Sequence, residues 1–265
     1  MKDSLGERMK EYEAVTKSRL PRRTYTLIRI DGSAFHTFCR GMDRPFDQKL
    51  MDQMIHTTKG LVSELSGAVL GYTQSDEISI LLTDFSTSTT QPYHGGSLQK
   101  IVSRSASKAT AIFNCSVPHS FHRPAEFDSR AFTIPDVNDV FSYFIWRQKD
   151  CVRNSISLAA QSQFSHQQLQ GKKSTEMKEM LREVDKPWED LSDRFKNGIV
   201  VYKTKELKEV SFVHGKTGEH VTLDPVWRSV VMEKAAPTFT KNPEFLQKIV
   251  PTLQPSPAAA VTRSR

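Results

Sequence analysis

The sequence is poor in cysteine: Cys39, Cys115 and Cys151 are odd in number and far apart. Neither a disulfide framework nor a thiolate zinc site fits that usage, and buried free thiols are expected. No uninterrupted apolar run approaches the roughly 20 residues that span a bilayer; Ile78 to Leu82, broken by Ser79, has the length of a strand. A membrane partner is therefore not expected. Residues Met1 to Glu7 carry neither the apolar centre of a signal peptide nor the acid-poor, Arg-rich pattern of a transit peptide, so a cytoplasmic location is expected. No internal repeat is visible.

What is present suits a globular protein with a basic tilt. The 265 residues are 37% hydrophobic and carry a net charge of +7. That length allows one large domain or two modest ones, with a core that needs no covalent staple. Some charges cluster by sign. Arg19, Arg22 and Arg23 precede the first strand, and Lys100, Arg104 and Lys108 recur every four residues. This spacing sets the last three on one helix face, either solvated or turned to a polyphosphate or RNA backbone.

Thr24 to Ile30 is β-branched and aromatic and stops at Asp31-Gly32, which predicts a strand ending in a turn. Asp47 can cap a helix whose apolar positions from Leu50 to Leu65 follow a period of 3.6, with Gly67 beyond its end. Ala68 to Gln74 and Ile78 to Leu82 flank Ser75-Asp76-Glu77 as a hairpin. Leu98 to Phe113 reads as a second amphipathic helix and Ala131 to Ile134 as a fourth strand. The order strand, helix, strand, strand, helix, strand is that of a ferredoxin-like α+β fold.

In that topology the first strand lies antiparallel to the third, which brings Asp31 to Asp76 and Glu77. Neighbouring anions repel and raise one another's pKa. Two Mg²⁺ ions would relieve this while binding substrate phosphates. The Asp31-Gly32 turn, with the backbone N–H groups of Ser33, Ala34, Phe35 and His36, could cradle a triphosphate. Either motif alone reads better as a plain turn or hairpin tip; the two converging in this topology favour the metal site.

Beyond the fourth strand, Asp136 opens a long helix with Val137, Val140, Phe141, Phe144 and Ile145 on its apolar side. It runs into the polar and basic segment Trp146 to Ser155, suited to RNA contact or to salt bridging. Lys172 to Trp188 reads as a polar helix with a loop, Ile199 to Tyr202 as a strand, and Glu209 to Leu223 as a basic hairpin. Gly215-Lys216-Thr217 has the end of a P-loop, but Val210 stands where the first glycine belongs. His119 and His122 have zinc-compatible spacing without further ligands. The Pro/Ala/Ser-rich residues 251–265 are expected to be disordered.

Taken in order, Arg29-Ile30-Asp31-Gly32 with Phe35-His36, Arg44-Pro45-Phe46-Asp47, Gly71 to Glu77, Phe127-Asp128-Ser129-Arg130, and Trp146-Arg147-Gln148 with Asp150 resemble the tRNA-histidine guanylyltransferase superfamily. The resemblance is closer to its bacterial-type guanylyltransferase-like branch of 3′-to-5′ tRNA polymerases, and it spans roughly Leu5 to Tyr202. It implies a polymerase palm-like catalytic core over residues 1–135, with a helical and hairpin extension over 136–250 that packs on the core and contacts tRNA. The implied activity is nucleotide addition to the 5′ end of tRNA. ATP activates a 5′-monophosphate, GTP or another nucleoside triphosphate is the substrate, and the enzyme is a homotetramer or dimer.

By the same resemblance Asp31, the Gly32 carbonyl and Asp76 hold metal, with Glu77 as a supporting catalytic carboxylate. Residues Asp31 to His36, Ser75 and Asp76 form the nucleotide site, with Arg44 and Asp47 at the triphosphate. Lys100 matches a basic residue of a second phosphate site; Arg104, Lys108, Arg130, Arg147, Arg153 and Asn154 join it as phosphate or tRNA contacts. One departure matters. Val152-Arg153-Asn154-Ser155 stands where the histidine-tRNA enzymes have His-Ile-Asn-Asn, which favours repair of 5′-truncated tRNA over obligatory guanosine addition to tRNA-His. The alternatives are a nucleotidyl cyclase on the same core and a non-catalytic tRNA-binding module.

Overall fold

The computed structural model describes residues 4–115 and 123–253. His119, His122 and the chain from residue 254 lie outside the described residues. In chain order the elements are α1 (Ser4–Ala14), β1 (Tyr25–Gly32), the single turn α2 (Phe35–Phe38), α3 (Gln48–Glu64), β2 (Ala68–Gln74), β3 (Glu77–Leu82) and α4 (Leu98–Cys115). There follow β4 (Phe127–Ile134), α5 (Val137–Gln161), α6 (His166–Leu169), α7 (Ser174–Glu183), α8 (Asp193–Asn197), β5 (Ile199–Val213), β6 (His220–Ala235) and α9 (Pro243–Ile249). Six strands make one antiparallel sheet in the order β4-β1-β3-β2-β5-β6. Among the described residues no helix is long and apolar enough to cross a membrane.

The central strands explain their own apolar character. Every residue of β3 is buried, because both faces of the sheet are covered. On one face Ile28, Ile30, Ile78 and Ile80 meet Met54, Leu61 and Val62 of α3 and Ile101, Ala109 and Phe113 of α4. On the other, Leu27, Leu70, Tyr72 and Leu81 meet Val140, Tyr143 and Phe144 of α5, with Phe239 and Leu246. β5 pairs with β2 from Leu70↔Tyr202 to Thr73↔Ile199, so the segment after α5 continues the same sheet.

Several boundaries depart from the sequence reading. β4 starts at Phe127 rather than Ala131, since Asp128, Ser129 and Arg130 extend the strand without an apolar face. Asp31 and Gly32 belong to β1, and the tight turn falls later, at Ala34, whose φ is 53°. The strand at Ile199 and the hairpin at Glu209 are one ribbon: β5 and β6 pair from Ile199↔Ala235 to Val213↔His220. Cys151 is buried and Cys39 half-buried, but Cys115 is exposed; burial pushes the Cys151 thiol up to about 12. The Gly215-Lys216-Thr217 turn joins two strands, so it lacks the helix a P-loop opens.

Candidate active site

β1, the β2–β3 turn and the start of β4 converge at one end of the sheet. Asp31 lies opposite Glu77 on β3 and opposite Asp128 on β4. The two-residue connection Ser75-Asp76 is held by a positive φ of 51° at Ser75, as short hairpin turns require. The Gly32 N–H donates to the Asp76 carbonyl at 3.1 Å, and Ser75 Oγ donates to Asp76 Oδ1 at 3.0 Å. Burial raises the Asp76 pKa, the Ser75 hydrogen bond opposes this, and the Asp31 charge adds to the rise. Asp31 and Asp76 therefore lie close enough for their charges to repel one another.

Glu77 is placed differently. Its carboxylate accepts from Arg147 Nε at 2.7 Å and Nη2 at 2.6 Å. Arg147 also donates to Asp150 Oδ2 at 3.0 Å. Both partners of the Glu77–Arg147 pair are buried, at 7% and 6% exposure. Arg147, expected among the RNA contacts, is therefore not at an RNA surface: its guanidinium is engaged inside the protein. Burial raises the Glu77 pKa against the opposing pull of Arg147. Burial also works against the Arg147 charge, but Glu77 and then Asp150 hold its pKa up. Asp150 further pairs with Arg153 and accepts from Asn154 Nδ2 at 3.4 Å. Of these three helix residues Arg153 is the exposed one.

The expected phosphate cradle is shorter than the sequence suggested. The Gly32 N–H is engaged by Asp76, and the Ser33 N–H donates to the Glu126 carbonyl at 2.8 Å. The N–H groups of Ala34, Phe35 and His36 remain, because they open α2, where no intrahelical acceptor exists. The Phe35 ring anchors this loop from below, 5.9 Å from Phe113 and 5.1 Å from Phe127. A Cβ on Gly32 would lie 2.2 Å from that ring. Gly32→Ala is expected to destabilise the fold by roughly 1–3 kcal/mol through overpacking and to weaken nucleotide binding; an unchanged melting curve and affinity would show that the ring can move aside.

Asp47 caps α3, accepting from Leu50 N at 2.9 Å and Asp43 N at 3.2 Å. It still belongs to this end of the sheet: burial, then Asp76, then Asp47 push the Cys39 thiol up to about 11. Arg44 is exposed three residues earlier. Asp128, part of the Phe127 to Arg130 motif, is a further carboxylate here, exposed and 3.6 Å from Arg130. Starting β4 at Phe127 would have revealed it. Among the described residues no group of three or more His, Cys, Asp or Glu side chains could hold a metal ion.

Lys100, Arg104 and Lys108 are not part of this cluster. Phe127 N donates to Thr110 Oγ1 at 3.2 Å, tying the end of α4 to the carboxylates. Leu98 N donates to Ser18 O at 3.0 Å, tying the start of α4 to the opposite end of the sheet. Lys100, ten residues before Thr110, is thus about 15 Å away along the helix. Lys108 is bound to Glu64. Lys100 and Arg104 are exposed, and after burial it is their charges that lower the His94 pKa.

Comparisons with known proteins bear on the family and the overall fold. Residues 6–135 match the family model described as tRNAHis guanylyltransferase. A bacterial tRNA(His) guanylyltransferase (Thg1)-like protein in complex with ATP is similar over 93% of this chain and 99% of its own, at 38% identity and a TM-score of 0.81. A GTP complex of a bacterial protein so described is similar with a TM-score of 0.75 at 37% identity over the same shares. The tRNA(His) guanylyltransferase of Schizosaccharomyces pombe is 33% identical over 162 residues, 59% of each chain. With the carboxylates, the turn and the strand order already in place, these similarities mean that the chain belongs to the tRNAHis guanylyltransferase family of nucleotidyltransferases.

Proposed function

We propose that this protein adds nucleotides in the 3′-to-5′ direction to the 5′ end of tRNA, repairing 5′-truncated tRNA by template-directed extension. The observation that carries this reading is the convergence of Asp31, at the end of β1, with Asp76, in the β2–β3 turn, beside N–H groups of one loop that have no acceptor among the described residues. The strand order β4-β1-β3-β2 with α3 and α4 on one face supports a ferredoxin-like, palm-like core. The ATP and GTP complexes of the similar bacterial proteins support nucleoside triphosphates as substrates. Arg153-Asn154-Ser155 supports repair over obligatory guanosine addition to tRNA-His.

Phosphoryl transfer asks a protein chiefly for positioning and charge neutralisation. Asp31, Asp76 and the Gly32 carbonyl would hold Mg²⁺, which when bound neutralises phosphate charge and polarises the reacting oxygens. The N–H groups of Ala34, Phe35 and His36, with Arg44, orient the triphosphate. Asp47 fixes the Arg44 loop to α3. Glu77, clamped by Arg147, positions the hairpin tip that carries Asp76. Lys100 and Arg104 hold RNA phosphates away from the reacting atoms.

Two measurements bear on this. Given labelled ATP and a 5′-monophosphorylated, truncated tRNA without other nucleotides, the enzyme is expected to transfer label to the RNA; pyrophosphate release from ATP with no RNA present would point to a cyclase instead. The Lys100→Ala/Arg104→Ala variant is expected to bind tRNA more weakly and with a reduced salt slope. The reduction is about 0.9 for every duplex phosphate that no longer meets a cation, by analogy with DNA. An unchanged slope would leave that helix face merely solvated.

A further inference from the structure

Trp146 takes no part in the chemistry above, yet its surroundings are unusual. It lies on α5 and is 52% exposed. The indole is pinned in place: it meets the Tyr143 ring edge-on with the ring centroids 5.9 Å apart, the Arg147 guanidinium carbon lies 4.4 Å from the ring centroid and that of Arg29 lies 6.0 Å away. Arg147 is the residue that grips Glu77, whose strand partner is Asp31. Arg29 precedes Asp31 by one pleat repeat, roughly 7 Å. The ring therefore borders the carboxylate end of the sheet.

Of the charges beside it, Arg147 is paired with Glu77 and Asp150 and Arg130 lies 3.6 Å from Asp128, but Arg29 is less well served. Arg29 lies directly opposite Arg130 across β1 and β4, and like charges so placed repel. Arg29 Nε is buried with no hydrogen-bond partner among the described residues. A held, half-exposed aromatic ring flanked by cations is how proteins bind single-stranded nucleic acid: bases stack on the ring while the cations follow the phosphates. A tryptophan serving only the core would instead be covered, as Tyr72 and Phe144 are on the same face.

We propose that the Trp146 indole is a stacking platform for a nucleobase at the Asp31–Asp76 end of the sheet, with Arg29 and Arg130 supplying the field for the attached phosphate. The inference rests on the nucleotide-adding reading above. The base can come from the free triphosphate or from the end of the RNA, and the experiment separates these sources.

Tryptophan emission is recorded for the wild type and for Trp146→Phe during titration with ATP, with truncated tRNA and with inorganic tripolyphosphate. The wild type is expected to show quenching by ATP or by tRNA, whichever supplies the base, that Trp146→Phe lacks; tripolyphosphate should give no such difference. Trp146→Leu is expected to raise the KM for that ligand roughly 5- to 150-fold, with kcat changed far less and with Trp146→Phe restoring much of the loss. Thermal melting of each variant separates this from misfolding. Equal quenching in wild type and Trp146→Phe, an unchanged KM in Trp146→Leu, or quenching that instead follows protein concentration would overturn the platform. An enzyme that extends no RNA but still shows the Trp146-dependent quench would overturn the proposed function and leave the platform standing.

Discussion

Asp76→Asn is expected to abolish nucleotide addition and, at the same time, to make the protein more resistant to heat. The first effect follows from removing one of the two carboxylates at the proposed reacting centre. Even a single lost hydrogen-bond donor at such a centre lowers turnover by roughly 10²–10³-fold, so at least that is expected here. The second follows from the sign of the Asp76 shift. Burial and the Asp31 charge raise its folded-state pKa, so the folded protein holds this proton more tightly than the unfolded chain does. The resulting stabilisation is present below the unfolded value and is lost as pH rises through the folded one. At neutral pH the ionised Asp76 therefore opposes folding. Asparagine removes that charge and keeps an oxygen for Ser75. Melting curves at neutral pH, with and without Mg²⁺, read the result: the variant melts higher than wild type without the ion and gains less when it is added. A variant that melts lower and still turns over would contradict both assignments.

Arg147→Ala carries the largest expected stability effect. It strands Glu77, 7% exposed, without its bidentate partner. Breaking a buried ion pair from one side costs about 3–5 kcal/mol, whereas replacing both members by apolar residues of similar size is often neutral. The single variant should therefore melt on the order of 10 °C lower, and Glu77→Leu/Arg147→Met should recover most of that loss. Equal destabilisation of the single and double variants would mean that the uncompensated charge is not the cause.

The strands that build the site were legible because their apolar residues stop at turn-forming ones: Leu27, Ile28 and Ile30 before Asp31-Gly32, and Val69 to Tyr72 before Ser75-Asp76. The approach of Asp31 to Asp76 then followed from strand order alone. The position of Arg147 was also in the sequence, but in its helical period rather than its charge. Val140, Phe144, Arg147 and Cys151 fall on one stripe of α5 and all four are buried. A basic residue among Trp146, Gln148 and Lys149 looked like surface instead. The ribbon was hidden for the opposite reason. Lys203 to Lys208 has a single apolar residue, Leu207, so no buried face marked the strand. Lys100 could be placed on a helix face, but its separation from Asp31 depends on which end of α4 meets which end of the sheet. Local spacing carries no information about that.

The most direct test of the central claim is a single-turnover assay with a 5′-monophosphorylated tRNA lacking its first nucleotide, supplied with ATP, all four nucleoside triphosphates and Mg²⁺, beside an intact tRNA-His control. Wild type is expected to extend the truncated tRNA with the base complementary to the opposite strand, while Asp31→Ala and Asp76→Asn do not. Extension of the tRNA-His control alone, or extension of the truncated tRNA by either variant at the wild-type rate, would contradict it.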